Sequence, residues 1–364
     1  MSVAADLGIA FGRVLFVMMF VLNVAAILGW VERKQSAIMQ DRIGANRASI
    51  FGIRAMGLFH PLADTLKMLT KEDFRPARAD GLLFSLAPFV SVLFALTAFA
   101  SIPFGDTLRI GDRVIPLQAV TLNVGVLYVF AMLSLGVYGV MMAGWSSGNN
   151  FALLGGQRAA ALMISAEIAI GASIMGVIMV YGSLNMMEIV RGQGQLLWGW
   201  LPKWGIITQP LAFILFVTAG IATTKRIPFD MPEGESEIIG YNVEYSGMKF
   251  GMFLMTDMVE TTVIAGMCVS LFLAGWQVPF LFADGFRFPW GAVVGASPLV
   301  VTLLQVGSFV TKVAVMIFIL MLIRWTLPRF RYDQAMRLGW LGLFPLSILN
   351  IVLTGAVILA WGAR

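Results

Sequence analysis

The sequence predicts an all-α fold: a polytopic bundle of about eight transmembrane helices, with an amphipathic interfacial helix and long cytoplasmic loops. Two observations predict it. Of 364 residues, 59% are hydrophobic and only 12% charged, about half the charge of a soluble domain. In addition, apolar runs recur that are long enough to cross a hydrocarbon layer, which takes roughly 20 helical residues. They lie near 9–31, 81–102, 118–143, 159–181, 206–224, 250–274, 298–323 and 340–361. No long polar linker interrupts them, so 1–364 reads as one integral membrane domain. The first run is too long for the apolar core of a cleaved signal, and no small-residue cleavage site follows it.

Basic residues set the orientation. Arg33, Lys34, Arg42, Arg47, Arg54, Lys67, Lys71, Arg75 and Arg78 follow the first span. Arg158, Lys225, Arg226, Lys249, Arg324, Arg329, Arg331 and Arg337 fall on the same side. The positive-inside rule makes that side cytoplasmic and both termini periplasmic. The net charge of +5 then reports loop charge beside anionic lipid, and no nucleic-acid partner is expected. A single cysteine, Cys268, and a single histidine, His60, offer no thiolate cluster or zinc site. No metal and no redox centre is expected on this chain.

Between the first two spans, residues 59–71 have helical amphipathicity. Phe59, Leu62, Leu66 and Leu69 share one face, and Asp64, Lys67 and Lys71 the other. Such a helix lies in the membrane interface. It serves as a surface anchor, as the wall of a channel for a hydrophobic ligand, or as both.

Charge inside a span is costly and marks function by default. Glu167 falls nine residues past Arg158, about 13 Å along a helix. Asp257 and Glu260 share one face of the sixth span, and Lys312 lies inside the seventh. One reading is a buried ion pair, such as Lys312 with Glu167 or Glu260, that fixes helix register. The other is a proton relay, because burial and neighbouring charge together poise carboxyls near neutral pH. The loop before the sixth span adds Asp230, Glu233, Glu235, Glu237 and Glu244. This is either a solvated acidic loop or, given its Pro and Gly punctuation and apolar flanks, a packed and shaped one whose crowded acids hold protons.

These residues carry a resemblance. Glu32-Arg-Lys34 and Met39-Gln-Asp-Arg-Ile-Gly44 are similar to the first cytoplasmic loop of one family of membrane proteins, and His60-Pro-Leu-Ala-Asp-Thr-Leu-Lys67 with Thr70-Lys-Glu72 to its amphipathic segment. That family is the H-type (first) membrane subunit of respiratory complex I, the NADH:quinone oxidoreductase. Ala152-Leu-Leu-Gly-Gly-Gln-Arg158 with Ser165-Ala-Glu167 resembles the family's turn into the fourth span. Pro228-Phe-Asp230, Glu233-Gly-Glu-Ser-Glu237 and Asn242-Val-Glu-Tyr245 resemble its acidic loop, and Thr326-Leu-Pro-Arg-Phe-Arg-Tyr-Asp-Gln334 its last cytoplasmic loop. The chain departs from the pattern at Ala45, at Thr256-Asp257-Met258 and in the acidity of Glu260.

The resemblance implies a subunit of a proton-pumping complex in the bacterial inner membrane, or an equivalent energy-transducing membrane. Quinone is the substrate, and FMN and iron–sulfur clusters belong to partner subunits. The expected partners are the peripheral-arm subunits at the quinone site, the antiporter-like and small membrane subunits, and lipid. Glu167, Glu233, Glu235, Glu237 and Glu244 are implied proton-relay positions, joined by the intramembrane Asp257, Glu260 and Lys312. Arg42, Arg54, Asp64 and Phe229 are implied in the quinone channel. Arg33, Arg158, Arg324 and Arg329 are implied to position loops or partners, work that suits a bidentate guanidinium. The alternatives are a related membrane-bound hydrogenase or ferredoxin-linked complex, a proton-coupled transporter and a structural anchor.

Overall fold

The apolar runs fold as helices. The computed structural model describes residues 3–110, 113–197, 200–234, 237–282, 285–287 and 293–362. Among them, seven helical segments are long and apolar enough to cross a membrane, with one shorter apolar helix beside them. In chain order the helices are α1 (Val3–Met39), α2 (His60–Thr70), α3 (Gly81–Ala98), α4 (Gly125–Ser146), α5 (Asn150–Tyr181), α6 (Met186–Gln193), α7 (Gly205–Thr208), α8 (Pro210–Thr223), α9 (Gly247–Phe272), α10 (Pro298–Thr326), α11 (Tyr332–Arg337) and α12 (Phe344–Gly362).

The expected fifth span, 206–224, is broken in two. Pro210 has no N–H to donate and disfavours helical geometry in the residue before it. Gln209 accordingly adopts φ −140° and ψ 58°, between α7 and α8. The broken segment is held by a buried polar set. The Gln209 amide donates to Thr354 Oγ1 at 2.9 Å and accepts from Asn350 Nδ2 at 3.0 Å. The expected eighth span also differs. It starts further back, with α11, and passes through a π-helical turn at Leu338–Leu343 before α12. Pro345 follows, and its missing N–H leaves a wider turn as the accommodating geometry.

Small residues set the packing of α3, α4 and α5, as membrane helices require for close approach. A Cβ at Gly139 of α4 would stand 3.0 Å from the Ala87 carbonyl oxygen of α3. One at Gly144 would stand 2.7 Å from the Ala152 carbonyl oxygen of α5. Side-chain caps fix two starts: Asp80 Oδ1 accepts from the N–H groups of Leu82 and Leu83, and Asn149 Oδ1 from Phe151.

Helix α2 has no buried residue, and Leu62, Leu66 and Leu69 are all exposed. Its polar face is tied down, with Asp64 bound to Arg33 of α1 at 2.6 Å. Its apolar face is therefore open to the surroundings, as the amphipathic pattern predicts.

The helix ends gather on two sides. On one side, Asp80 N–H donates to the Ser146 carbonyl and Phe330 N–H to the Pro228 carbonyl, and Glu244 meets Asn149. This is the acidic-loop side. On the other lie short hairpins: β1 (Thr107–Ile110) with β2 (Arg113–Pro116), β3 (Leu196–Leu197) with β4 (Leu201–Pro202), and the sheet of β5 (Leu281–Phe282), β6 (Gly285–Arg287) and β7 (Val293–Gly295). All their pairings are antiparallel.

Candidate functional site: a buried cluster of acids and cations

Helix α8 ends at Thr223, and the residues just after it carry cations into the protein. Lys225 adopts φ +55°, a left-handed conformation that costs energy for a residue with a Cβ. Its side chain is 2% exposed, and its Nζ lies 3.0 Å from Asp257 Oδ1 and 3.1 Å from Glu260 Oε2. The two acids are on one face of α9, so one ammonium meets both. Arg226 turns the other way. Its Nη1 is 3.5 Å from Glu32 of α1, and its Nη2 donates to Met258 Sδ at 2.8 Å. Glu32 is also bound by Arg324 of α10. Three cations and three acids thus form a chain of alternating charge across α1, the turn after α8, α9 and α10. Its halves, Arg324 with Glu32 and Arg226, and Asp257 with Lys225 and Glu260, adjoin at residues 225 and 226.

Most described residues of the acidic loop pack against the bundle, with Glu237, Ile239 and Val243 left exposed. Phe229, Met231, Ile238, Tyr241 and Tyr245 are buried. Phe229 packs on Phe330, with centroids 5.3 Å apart, and Tyr245 stacks on Phe84 at 3.9 Å. The acids among the described residues of the loop are individually partnered. Glu233 accepts from Asn242 Nδ2 at 2.7 Å, and Asp230 Oδ1 from the Glu233 N–H at 3.2 Å. Glu237 binds Arg158 at 2.6 Å, and Glu244 accepts from Asn149 at 2.7 Å. A Cβ at Gly234 would overlap the Arg329 guanidinium, so glycine there admits the arginine. Glu235 lies outside the described residues.

Burial pushes the Glu233 carboxyl up to about 7; Asp257 and Asp230 push the same way, while Lys225 and the Asn242 hydrogen bond oppose. Burial also raises Asp230, against the pull of Arg329 and the Glu233 N–H. The Tyr241 hydroxyl is held well above its ordinary range, first by burial and then by Asp257 and Glu233.

Two acids, Glu167 and the Glu260 already described, sit against α4. Glu167 is near the midpoint of α5, which begins at Asn150 and not near 159 as the sequence suggests. Ser134 Oγ of α4 donates to Glu167 Oε2 at 2.7 Å, and Glu167 Oε1 is buried with no hydrogen-bond partner among the described residues. Glu260, near the midpoint of α9, approaches α4 at Gly136, where an added Cβ would lie 3.8 Å from Oε1. One helix therefore lies between the two mid-membrane acids, meeting each with a small residue.

The structure does not pair Lys312 with Glu167 or Glu260. Its Nζ donates to the carbonyls of Leu273, Gly275 and Gln277 at 2.9, 3.0 and 2.7 Å, and lies over the Trp204 ring. Leu273 is about 20 Å along α9 from Glu260, at 1.5 Å per residue. The cation that meets Glu260 is Lys225, which sequence reasoning counted only as a loop charge. Two intramembrane acids at helical spacing demand a buried counter-ion, and a Lys-Arg pair directly after an apolar helix was the signal for it.

The residues expected in a quinone channel separate. Arg42 lines a cavity of about 430 Å³ with Glu32, Arg33, Ser36, His60 and Trp325. Asp64 adjoins this cavity through Arg33. Neither Arg54, which is exposed, nor Phe229, which is buried against Phe330, lines it. Arg158 and Arg324 each reach a loop or helix partner, and Arg329 lies on Gly234.

A helical bundle with acids held at mid-span and an acidic loop folded onto its end defines a polytopic membrane protein built around buried ionisable groups. The family model described as NADH dehydrogenase matches residues 12–355. Curated relatives carry the name of the H-type chain of NADH-quinone oxidoreductase. The chain is 42% identical over 339 residues to the first such protein of Cytophaga hutchinsonii, covering 93% of each. It is 41% identical over 358 residues to the first of Geobacter metallireducens, covering 98% of each. It is 43% identical over 345 residues to that of Thermomicrobium roseum, covering 94% of this chain and 93% of the relative. The chain belongs to this NADH dehydrogenase family, whose members are the H-type membrane subunits of NADH-quinone oxidoreductase.

Proposed function

We propose that this chain binds quinone and relays protons within a complex that oxidises NADH with quinone, the reaction that its relatives' names describe. The observation that carries the reading is the acidic loop packed onto the bundle, with Lys225 joining its start to Asp257 and Glu260. Quinone meets the chain on the acidic-loop side, at the cavity lined by Arg33 and Arg42. Its reduction changes charge there. In a low dielectric that change is felt strongly by neighbouring groups. Glu233, Asp257 and Glu260 change proton occupancy in turn, and Glu167 takes up the proton deeper in the bundle. Lys312, which meets backbone carbonyls and the Trp204 ring but no carboxylate among the described residues, stands outside this pathway.

FMN and the iron–sulfur clusters belong to partner subunits, and this chain holds quinone as substrate and no resident cofactor. The acidic-loop side faces the cytoplasm and both termini the periplasm of a bacterial plasma membrane, following the distribution of Lys and Arg. The exposed apolar face of α2 lies in the interface.

Glu167→Gln and Glu233→Gln test the relay in the assembled complex. NADH oxidation by an artificial acceptor is expected to stay normal, while quinone-linked turnover and proton translocation fall at least about tenfold, the lower range for loss of a proton-transfer group being 10²-fold when chemistry limits. Normal pumping in both variants would remove the relay.

A further inference from the structure

The chain of alternating charge has a balance that the relay alone does not require. We infer that Lys225 is a positioning residue that keeps Asp257 and Glu260 free to pass a proton on, by balancing their charge and holding them side by side. The inference rests on the relay reading above and deepens it.

The charges balance group by group. Arg324 and Arg226 flank Glu32, a set with one excess positive charge. Lys225 stands between Asp257 and Glu260, a set with one excess negative charge. Residues 225 and 226 are neighbours in the chain, so the two sets adjoin and cancel. The groups around them are Glu233, Asp230 and Tyr241 of the loop, with Arg329 facing Asp230. Tyr241 favours its neutral form there, Glu233 is poised to exchange its proton near neutral pH, and Asp230 has Arg329 for balance. The six charges are thus neutral with no proton bound to Asp257 or Glu260.

That state suits a relay. A proton arriving on a carboxylate oxygen of Glu260 or Asp257 leaves the six with one excess positive charge. It crosses to the other carboxylate by breaking one O–H bond and forming another, with no net change of charge. It then leaves, and neutrality returns. Without the ammonium the same groups would carry an uncompensated negative charge in a low dielectric, and a proton would stay. The geometry favours a built feature over an incidental pair. The ammonium is 2% exposed, and its residue holds a left-handed backbone at φ +55°, a strain that persists only where surrounding structure enforces it.

The test uses the whole complex and reads quinone-linked turnover against pH, with artificial-acceptor activity as the measure of assembled enzyme. Lys225→Met is expected to displace the profile toward alkaline pH by about 1–3 units, the range for losing an adjacent opposite charge. Glu260→Gln removes one relay carboxyl and lowers turnover, and the profile of the turnover that remains at Asp257 is expected to move toward acid. The double variant Lys225→Met/Glu260→Gln removes one charge of each sign, and its profile is expected to return toward the parent's. Lys225→Arg is expected to keep the parent profile. Should Lys225→Met fail to assemble, the double variant against Glu260→Gln alone decides: coincident profiles would overturn the inference. An unshifted profile in an assembled Lys225→Met complex would overturn it too, leaving a purely structural clamp. If these variants keep parent behaviour while Glu167→Gln abolishes turnover, this inference fails and the relay stands. If Glu167→Gln is also silent, the relay itself fails.

Discussion

A buried lysine and a half-buried one are satisfied in opposite ways in this protein. Lys225 meets two carboxylates, and Lys312 meets three backbone carbonyls just beyond the end of α9. Both answer the cost of an ammonium in a low dielectric. Only the first is bound to groups that can themselves take a proton. The second neutralises the partial negative charge at a helix C-terminus, where the last carbonyls have no partners of their own. A buried charge is therefore read by its partners: formal charges of opposite sign make a titrating set, and peptide dipoles make a cap.

The contrast between the two is broken most visibly at Lys225. Lys225→Met leaves two carboxylates facing each other unpaired, and removing one member of a buried pair costs about 3–5 kcal/mol. The variant complex is expected to lose thermal resistance by that order, measured as residual artificial-acceptor and quinone-linked activity after heating, and Lys225→Arg to recover most of it. A Lys225→Met complex as heat-resistant as the parent would show that the pair is not held by this cation.

Lys312→Met is expected to cost less, about 1–3 kcal/mol for carbonyls left unsatisfied. Its distinguishing sign is an unchanged pH profile of turnover. A shifted profile would return Lys312 to the proton pathway and dissolve the contrast between the two lysines.

The most gradual effect, small over any one step of pH, belongs to Glu233, whose carboxyl is raised from 4.5 to about 7. The folded loop binds this proton more tightly than the unfolded chain does. Its contribution to stability is therefore complete below about 4.5 and is lost as pH rises through 7, with a slope of at most about 1.4 kcal/mol per pH unit. Glu233→Gln is expected to flatten the pH dependence of heat resistance between about pH 4.5 and 7. An unaltered slope would place the titration elsewhere.

The helices were legible because a spanning helix needs a long uninterrupted apolar run, and such runs are rare by chance. The break at Gln209 was written in Pro210, but run length alone passes over it. The π-helical turn at Leu338–Leu343 involves residues as apolar as their neighbours, so no periodicity marks it. The hairpin at 107–116 and the α6–β4 region lie in stretches with neither a spanning run nor a motif. At the site, the acids could be found because charge is scarce in such a sequence. Their partners could not, since pairing is decided by three-dimensional approach. Lys312 looked like the natural counter-ion because it lies inside a span, and Lys225 looked like a loop charge because it lies just outside one. The fold reverses them: the chain turns inward after Thr223, while the end of α9 comes to Lys312. Ser134 and Gly136, which bring α4 against Glu167 and Glu260, are too ordinary in type to stand out.

The central claim is that protons pass through the acids on α9. The direct measurement is proton translocation per NADH oxidised by the complex reconstituted in sealed vesicles, with Asp257→Asn and Glu260→Gln combined in this chain. Translocation and quinone-linked turnover are expected to collapse together while artificial-acceptor activity persists. Full translocation at the parent ratio would contradict the claim.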